Sequence, residues 1–168
     1  MDVMAAIRGR RSIRKYESRP LAEETLRQVL EAARLAPSAR NRQEWRFVVV
    51  RDPSQIRRVT EAAGQPFIGT APVIIAGVAL NPERVMRCGV PTYAVDLTIA
   101  LTNMMLAATA LGLGTCWIGS FDQEEVKRVL AIPAHCMVAG LMPLGYPAEN
   151  PEARPRKQLS EIVSYDYF

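Results

Sequence analysis

The sequence has 168 residues, 49% hydrophobic and 23% charged, which is typical of one globular domain over residues 1–168 and excludes a disordered chain. His135 is the only histidine and the three cysteines form no C-x-x-C pair, so we expect no metal site and a reducing, cytoplasmic location. The net charge of +4 is concentrated in residues 8–15 and 154–157, near the two termini, which disfavours a nucleic-acid-binding surface.

The first half of the chain alternates helix and strand patterns. Leu26, Val29 and Ala33 recur at helical spacing, and this helix has two glutamates in its first turn. Asp52-Pro53 is a helix-start signal, because aspartate caps and proline fits the first helical position. In chain order we expect helices over 2–8, over 21–36 and between Asp52 and Gly64, with buried strands over 47–50 and 73–79.

Residues 93–112 predict the longest helix, which is apolar on nearly every side. A membrane span is the alternative, but Asp96 and Asn103 interrupt the segment and no basic flank follows it. Such a helix must be buried in a core or against a partner, and we expect a subunit interface. The remaining sequence predicts a strand over 115–119, a helix over 123–131, a strand over 136–144 and a short unpaired strand over 162–165. This mixed order predicts an α/β sandwich with helices on both faces of a sheet.

Four short segments carry side chains suited to binding. Residues 10–16 (RRSIRKY) present phosphate-binding donors on one side if extended, although a solvated basic turn is the alternative. Residues 36–45 (APSARNRQEW) contain amides that can contact the edge of a heteroaromatic ring, or they form a polar loop. Residues 112–119 (GLGTCWIG) allow close backbone approach to a ligand, and residues 154–157 are again basic.

The third segment excludes one common cofactor fold. It contains no G-x-G-x-x-G pattern, so the sequence does not support a Rossmann dinucleotide-binding domain. Cys116 has no histidine close in sequence, and we expect a small buried thiol there rather than a nucleophile. The same expectation holds for Cys88 and Cys136.

Taken in this order and at these distances, the four segments resemble the nitroreductase family of FMN-dependent flavoproteins over essentially the whole chain. The resemblance implies a three-layer α/β/α sandwich with a mixed central sheet. It also implies a homodimer with FMN sites at the subunit interface, and no membrane or nucleic-acid partner. The implied reaction is ping-pong hydride transfer from NADH or NADPH, through FMN, to a nitroaromatic, quinone or similar small molecule. The flavin would carry the chemistry, so no catalytic acid or base is expected.

The resemblance also implies roles for single residues. Arg10 and Ser12 would hold the FMN phosphate, Arg11 would reach phosphate or ribityl, and Arg14 would lie near the pyrimidine end. The second phosphate-binding cation would be Arg156, with Lys157 or Arg154. The loop that reaches the flavin from the other subunit would contain Pro37, Ser38, Ala39, Asn41 and Gln43. A backbone amide of the segment containing Ile118 and Gly119 would approach flavin N5.

Two departures from the family pattern bear on the shape and charge of the loop and on how the pocket is covered. Glu44 stands where many relatives have proline, and only about a dozen residues, 80–92, connect the second strand to the long helix. Larger members carry helical elements there that cover the flavin, so this pocket is open or covered differently. Two alternatives stay open: another enzyme on the same scaffold, such as a dehalogenase, dehydrogenase or flavin-processing enzyme, and an FMN-binding protein without turnover.

Overall fold

A four-stranded sheet is the centre of the computed structural model, which describes residues 1–168. Its strands are β1 (Trp45–Val50), β2 (Val73–Ala79), β3 (Gly114–Thr115) and β4 (Met137–Gly145). Their order is β1-β2-β4-β3, and every pair of neighbours is antiparallel. The sheet is mixed only through one isolated parallel bridge, which joins Ser12 to Thr115.

Five helices cover the two faces of the sheet: α1 (Val3–Gly9), α2 (Glu23–Arg34), α3 (Pro53–Ala63), α4 (Thr92–Ala110) and α5 (Gln123–Val129). Alternate residues of β2 enter different cores, as the two-residue period of a strand requires. Ile74 packs with residues of α3 and α5, whereas Ile75 packs with residues of α2 and α4. The expected three-layer α/β/α sandwich is therefore confirmed.

Helices α3 and α5 each begin at an aspartate cap, which the sequence predicts for α3. The Asp52 carboxylate accepts the Gln55 N–H at 2.9 Å, and Asp122 accepts the Glu125 N–H at 2.8 Å. Gly64 ends α3 with a φ of 60°, a left-handed conformation that glycine adopts without strain. Most predicted boundaries agree with the structure to within two or three residues, because these local signals act within one helical turn.

Helix α4 is long and apolar enough to cross a membrane by length and composition alone. In the structure it packs on the sheet, where a Cβ at Gly77 would lie 3.0 Å from Leu101 Cδ1. Its polar residues are also satisfied internally: Asn103 Nδ2 donates to the Ala32 carbonyl of α2 at 3.2 Å. The helix is thus a core element of the fold, in keeping with its interrupting polar residues, and the subunit interface expected along it stays a prediction.

Three local predictions are wrong or incomplete. Residues 162–165 are not a strand: a 3₁₀ turn at Leu159–Glu161 precedes them, and they contact no free sheet edge of the same chain. The strand predicted over 115–119 is reduced to β3 and a separate bridge at Ile118, because Cys116 and Trp117 leave the ladder. Cys88, expected to be buried, is exposed.

Candidate functional site

The two basic clusters converge on one cavity of about 480 Å³. Arg10, Ser12 and Arg14 line one side, and Arg154 and Arg156 line the other. Lys157 is exposed and lies outside this lining. With Arg11, which also lines the cavity, the structure brings together six of the predicted cationic and hydroxyl groups from opposite ends of the sequence, as a single phosphate site requires. Their binding role stays a prediction.

The segment that carries Arg10, Ser12 and Arg14 is held extended by the sheet edge. The Ile13 N–H donates to the Thr115 carbonyl at 2.9 Å, and the Ile13 side chain is buried. The Tyr16 hydroxyl then donates back to the Ile13 carbonyl at 2.7 Å. Because alternate residues of an extended chain face opposite ways, this anchoring turns the polar side chains toward the cavity.

Glu149 fixes the opposite wall of the cavity. Its Oε1 accepts the Arg14 N–H at 2.5 Å and the Lys15 N–H at 3.2 Å. The Ala148 N–H donates to the Lys15 carbonyl at 2.9 Å. The chain that continues to Arg154 and Arg156 is thus fixed to the first basic segment by three hydrogen bonds.

The Arg11 side chain has a local structural contact. Its Nη1 donates to the carbonyls of Arg8 at 2.7 Å and of Arg10 at 2.9 Å, near the end of α1. A cation there interacts favourably with the partial negative charge of a helix C-terminus. Arg11 therefore orders the backbone from which Arg10 projects, beside the same cavity.

Cys116 lies buried beneath the basic segment, 3% exposed. Burial raises the pKa of its thiol, although the nearby Arg14 charge acts in the opposite direction. Burial likewise raises the pKa of Tyr16. Both groups are therefore neutral at physiological pH, and Cys116 fits the expectation of a buried thiol rather than a nucleophile.

Ile118 and Gly119 differ in whether their amides are free. The Ile118 N–H donates to the Leu141 carbonyl at 2.9 Å, and the Leu141 N–H returns a bond to the Ile118 carbonyl at 3.0 Å. The Gly119 N–H donates to no group of the chain. If an amide of this segment contacts a flavin, the hydrogen-bond pattern identifies Gly119 as the donor.

The loop of residues 37–43 is strained. Arg40, Asn41 and Gln43 have φ values of 55°, 54° and 54°, in the left-handed region that L-residues other than glycine rarely adopt. Each such residue costs about 1 kcal/mol or more, and strain of this kind clusters at functional sites. Ser38 Oγ stabilises the loop by accepting the Gln43 N–H at 3.1 Å.

Asp96 of α4 holds the start of the same loop. Its two carboxylate oxygens lie 3.1 and 3.2 Å from the Ala39 nitrogen, and the residue is 6% exposed. Near the other end of α4, Thr109 lies beside Gly9, which immediately precedes the cavity. A helix rises 1.5 Å per residue, so Asp96 and Thr109 are about 20 Å apart. The loop and the cavity of one chain therefore lie at opposite ends of α4.

Glu44, which stands where many relatives have proline, forms an ion pair with two hydrogen bonds that the sequence did not predict. Arg84 Nε lies 2.7 Å from Glu44 Oε2, and Arg84 Nη2 lies 2.9 Å from Glu44 Oε1. Hydrogen bonding from Arg84 lowers the pKa of the Glu44 carboxyl. The two residues are 40 positions apart, so no spacing rule of a helix or strand could have paired them. Asp96, by contrast, was visible as a lone acid in an apolar helix.

Comparison with known proteins identifies the family. The sequence profile of the nitroreductase family matches residues 7–68 and 59–146. The chain belongs to the nitroreductase family. Within the family, a relative from Methanothermobacter thermautotrophicus is 39% identical over 163 residues, covering 92% of this chain and 82% of the relative. An "FMN reductase [NAD(P)H]" from Bacillus subtilis is 32% identical, covering 92% of this chain and 70% of that protein.

A solved structure shows the same fold in another family member. A nitroreductase family protein from Clostridium difficile 630 superposes with a TM-score of 0.90 at 30% identity, over 100% of both chains. The family resemblance read from the four segments is thus confirmed. The name of the Bacillus subtilis relative also agrees with the cofactors expected from the sequence, FMN with NADH or NADPH.

Proposed function

We propose that the chain is an FMN-dependent oxidoreductase that works as a homodimer. NADH or NADPH is the electron donor, and the acceptor is a nitroaromatic, a quinone or a similar small molecule. The observation that carries the proposal is the cavity in which Arg10, Ser12 and Arg14 face Arg154 and Arg156. Guanidinium and hydroxyl donors suit a phosphate monoester, and about 480 Å³ leaves room for one. The Bacillus subtilis relative, by its name, supports FMN as the group held there.

The chain's own residues bind and orient the cofactor. Arg10, Ser12 and Arg156 hold the phosphate, and Arg14 places a cation near the pyrimidine end, where reduction adds negative charge. When bound, FMN supplies the hydride acceptance and donation that the reaction needs. The free Gly119 N–H is the backbone donor for the flavin edge. No side-chain acid or base is assigned, since the donor and the acceptor exchange hydride with the flavin in turn.

A second copy of the chain completes the site. Because the strained loop lies at the far end of α4 from its own cavity, we assign Pro37, Ser38, Ala39, Asn41 and Gln43 to the FMN bound by the partner. An exposed apolar surface on α1 supports a subunit interface: Val3, Met4 and Ile7 are 71%, 51% and 47% exposed. The half-buried outer side of α4 continues this surface.

We propose that the protein acts in the cytoplasm on small molecules. All three cysteines are free, one of them exposed, as suits a reducing compartment. The positive charge is concentrated around one cavity rather than spread along a face, which supports a phosphate-bearing cofactor over nucleic acid.

Removal of the phosphate donors tests the proposal. We expect Arg10→Ala combined with Ser12→Ala to leave a folded dimer whose FMN dissociation constant rises at least about a hundredfold. Charge-assisted hydrogen bonds contribute about 1.5–3 kcal/mol each, and 1.4 kcal/mol corresponds to tenfold in affinity. Quenching of FMN fluorescence measures the constant, and Arg27→Ala on the exposed side of α2 is the control. Full FMN occupancy in the double variant would contradict the assignment.

A further inference from the structure

A short hairpin of residues 84–91 lies between β2 and α4. Val85 and Pro91 form an antiparallel bridge, and the Met86 N–H donates to the Val90 carbonyl at 2.9 Å. These contacts order the hairpin, yet Val85 is 55% and Val90 is 41% exposed. An ordered segment with two exposed valines presents an apolar surface that nothing in its own chain covers.

The Glu44–Arg84 pair ties the base of this hairpin to the strained loop. Besides the two ion-pair bonds, the Glu44 carbonyl accepts the Leu80 N–H at 3.1 Å. The Arg84 carbonyl accepts the Thr92 N–H at 2.9 Å, which joins the hairpin to the start of α4. Because Asp96 of α4 also holds Ala39, the loop, the hairpin and the helix end form one connected unit.

This pair is unlike the other ion pairs of the chain. Three of them join residues three apart on one helix, and the pair between Arg51 and Glu23 has side chains 49% and 65% exposed. The Arg84 and Glu44 side chains are 34% and 27% exposed, and the pair joins two separate connections. Partial shielding from water strengthens the interaction, and the two-bond geometry fixes an orientation.

We propose that Glu44 and Arg84 are positioning residues. Their ion pair holds the 84–91 hairpin beside the 37–43 loop, and together these two segments form one wall of the pocket through which nucleotide and acceptor reach the partner's FMN. The inference rests on the proposed function, since it requires FMN to bind and the loop to serve the partner subunit. The exposed valines supply an apolar contact for a planar ring, and Arg87, also exposed, supplies a cation near the hairpin tip.

Cys88, next to Arg87, is a natural reporter for this surface. It is the exposed cysteine, whereas Cys116 and Cys136 are buried. Alkylation with N-ethylmaleimide, followed by mass spectrometry, should therefore modify one thiol in the native protein and three after denaturation. NADP⁺, which cannot reduce the flavin, serves as the probe that occupies the pocket.

We expect NADP⁺ to slow the alkylation of Cys88 in the FMN-loaded dimer and not in the FMN-free protein. If the thiol reacts only in the unoccupied pocket, the rate falls about tenfold when NADP⁺ is at roughly ten times its dissociation constant. An unchanged rate in FMN-loaded protein that NADPH reduces would overturn the inference and leave the proposed function intact. Failure to bind FMN would overturn both.

Substitution of the pair tests its positioning role separately. Glu44→Gln should raise the KM for a quinone acceptor roughly five- to tenfold with kcat nearly unchanged, because binding in the pocket weakens while the chemistry at the flavin is retained. The FMN dissociation constant should change far less than the KM, because Glu44 lines no part of the phosphate cavity and the 37–43 loop keeps its hydrogen bonds to Asp96 and Ser38. Combining Glu44→Arg with Arg84→Glu should restore the KM.

Glu125→Gln is the matched control, because it removes an exposed ion pair with Arg128 on α5. It should leave the KM, kcat and the FMN dissociation constant unchanged. Equal effects of Glu44→Gln and Glu125→Gln on KM, or a parallel loss of FMN binding and stability in the Glu44 variant without rescue by the reversed pair, would overturn the positioning role.

Discussion

Replacement of Gly114 by alanine tests how the sheet edge positions the proposed phosphate site. A Cβ at Gly114 would lie 2.8 Å from Ile13 Cβ, 2.8 Å from Cγ1 and 2.9 Å from Cγ2. Carbon atoms pack at about 3.5–4.0 Å, so the overlap is about 0.7 Å or more. Ile13 Cβ moves only with its backbone, and a β-branched side chain has few rotamers. The 10–14 segment must therefore shift outward.

Two quantities should change in consequence. Overpacking of a buried contact costs about 1–3 kcal/mol, so the free energy of unfolding of the FMN-free protein should fall by that amount. The shift also moves Ser12, which directly precedes Ile13, and Arg10 in the same segment, and both residues line the cavity. Loss of one charge-assisted phosphate contact, about 1.5–3 kcal/mol, would weaken FMN binding about ten- to a hundredfold.

Urea unfolding followed by circular dichroism measures the first quantity, and quenching of FMN fluorescence measures the second. Gly9→Ala is the matched control: its Cβ would lie 3.8 Å from Thr109 Cγ2, an ordinary contact, just before the same basic segment. Alanine at the end of α1 should leave FMN binding unchanged and stability equal or slightly higher. A Gly114→Ala variant as stable as the wild type, with the same FMN affinity, would refute this reasoning.

Three further predictions concern the remaining structure. Asp96→Ala should release Ala39 and lower the thermal midpoint of unfolding, whereas Asp96→Asn, which keeps one acceptor oxygen, should lower the midpoint less. Equal decreases in the two variants would argue against the contact between Asp96 and the loop. Hydrogen bonds at the start of α3 lower the pKa of Asp52 in the folded protein. The stabilising contribution of Asp52 is therefore fully present above its unfolded-state pKa and should be lost as the pH falls through the lowered value. The difference in thermal midpoint between the wild type and Asp52→Ala should accordingly vanish in acid. Gly145→Ala should be strongly destabilising by urea unfolding, because its Cβ would lie 2.5 Å from the rigid Pro72 ring, and normal stability would contradict the packing there.

Local sequence signals predicted most of the helices and strands. Periodicity identified α2, and the Asp52 cap with Gly64 bounded α3, because each signal acts within a turn or two of the chain. Strand β2 was predicted to the residue, because a short apolar run rich in β-branched residues is typical of a buried strand. The predicted strand over 162–165 failed because a strand needs a free edge, and a single sequence does not reveal which edges are open.

The candidate site, like the fold, could be predicted only in part from the sequence. The two basic clusters were visible in the sequence, but only the fold shows that Arg10 and Arg156 line one cavity. The amide of Gly119 could not be distinguished from that of Ile118 without the register of the bridge to β4. The Glu44–Arg84 pair was invisible because its partners meet only after β1 and β2 have paired.

The most direct test of the central claim is the visible absorption spectrum of the protein after reconstitution with FMN, recorded under anaerobic conditions before and after addition of NADPH or NADH. We predict flavin bands that bleach with at least one of the two nucleotides and return when a quinone is added. Flavin bands that persist after addition of either nucleotide would mean that the protein binds FMN but does not catalyse this reaction. The absence of flavin bands after reconstitution would contradict the account of the site itself.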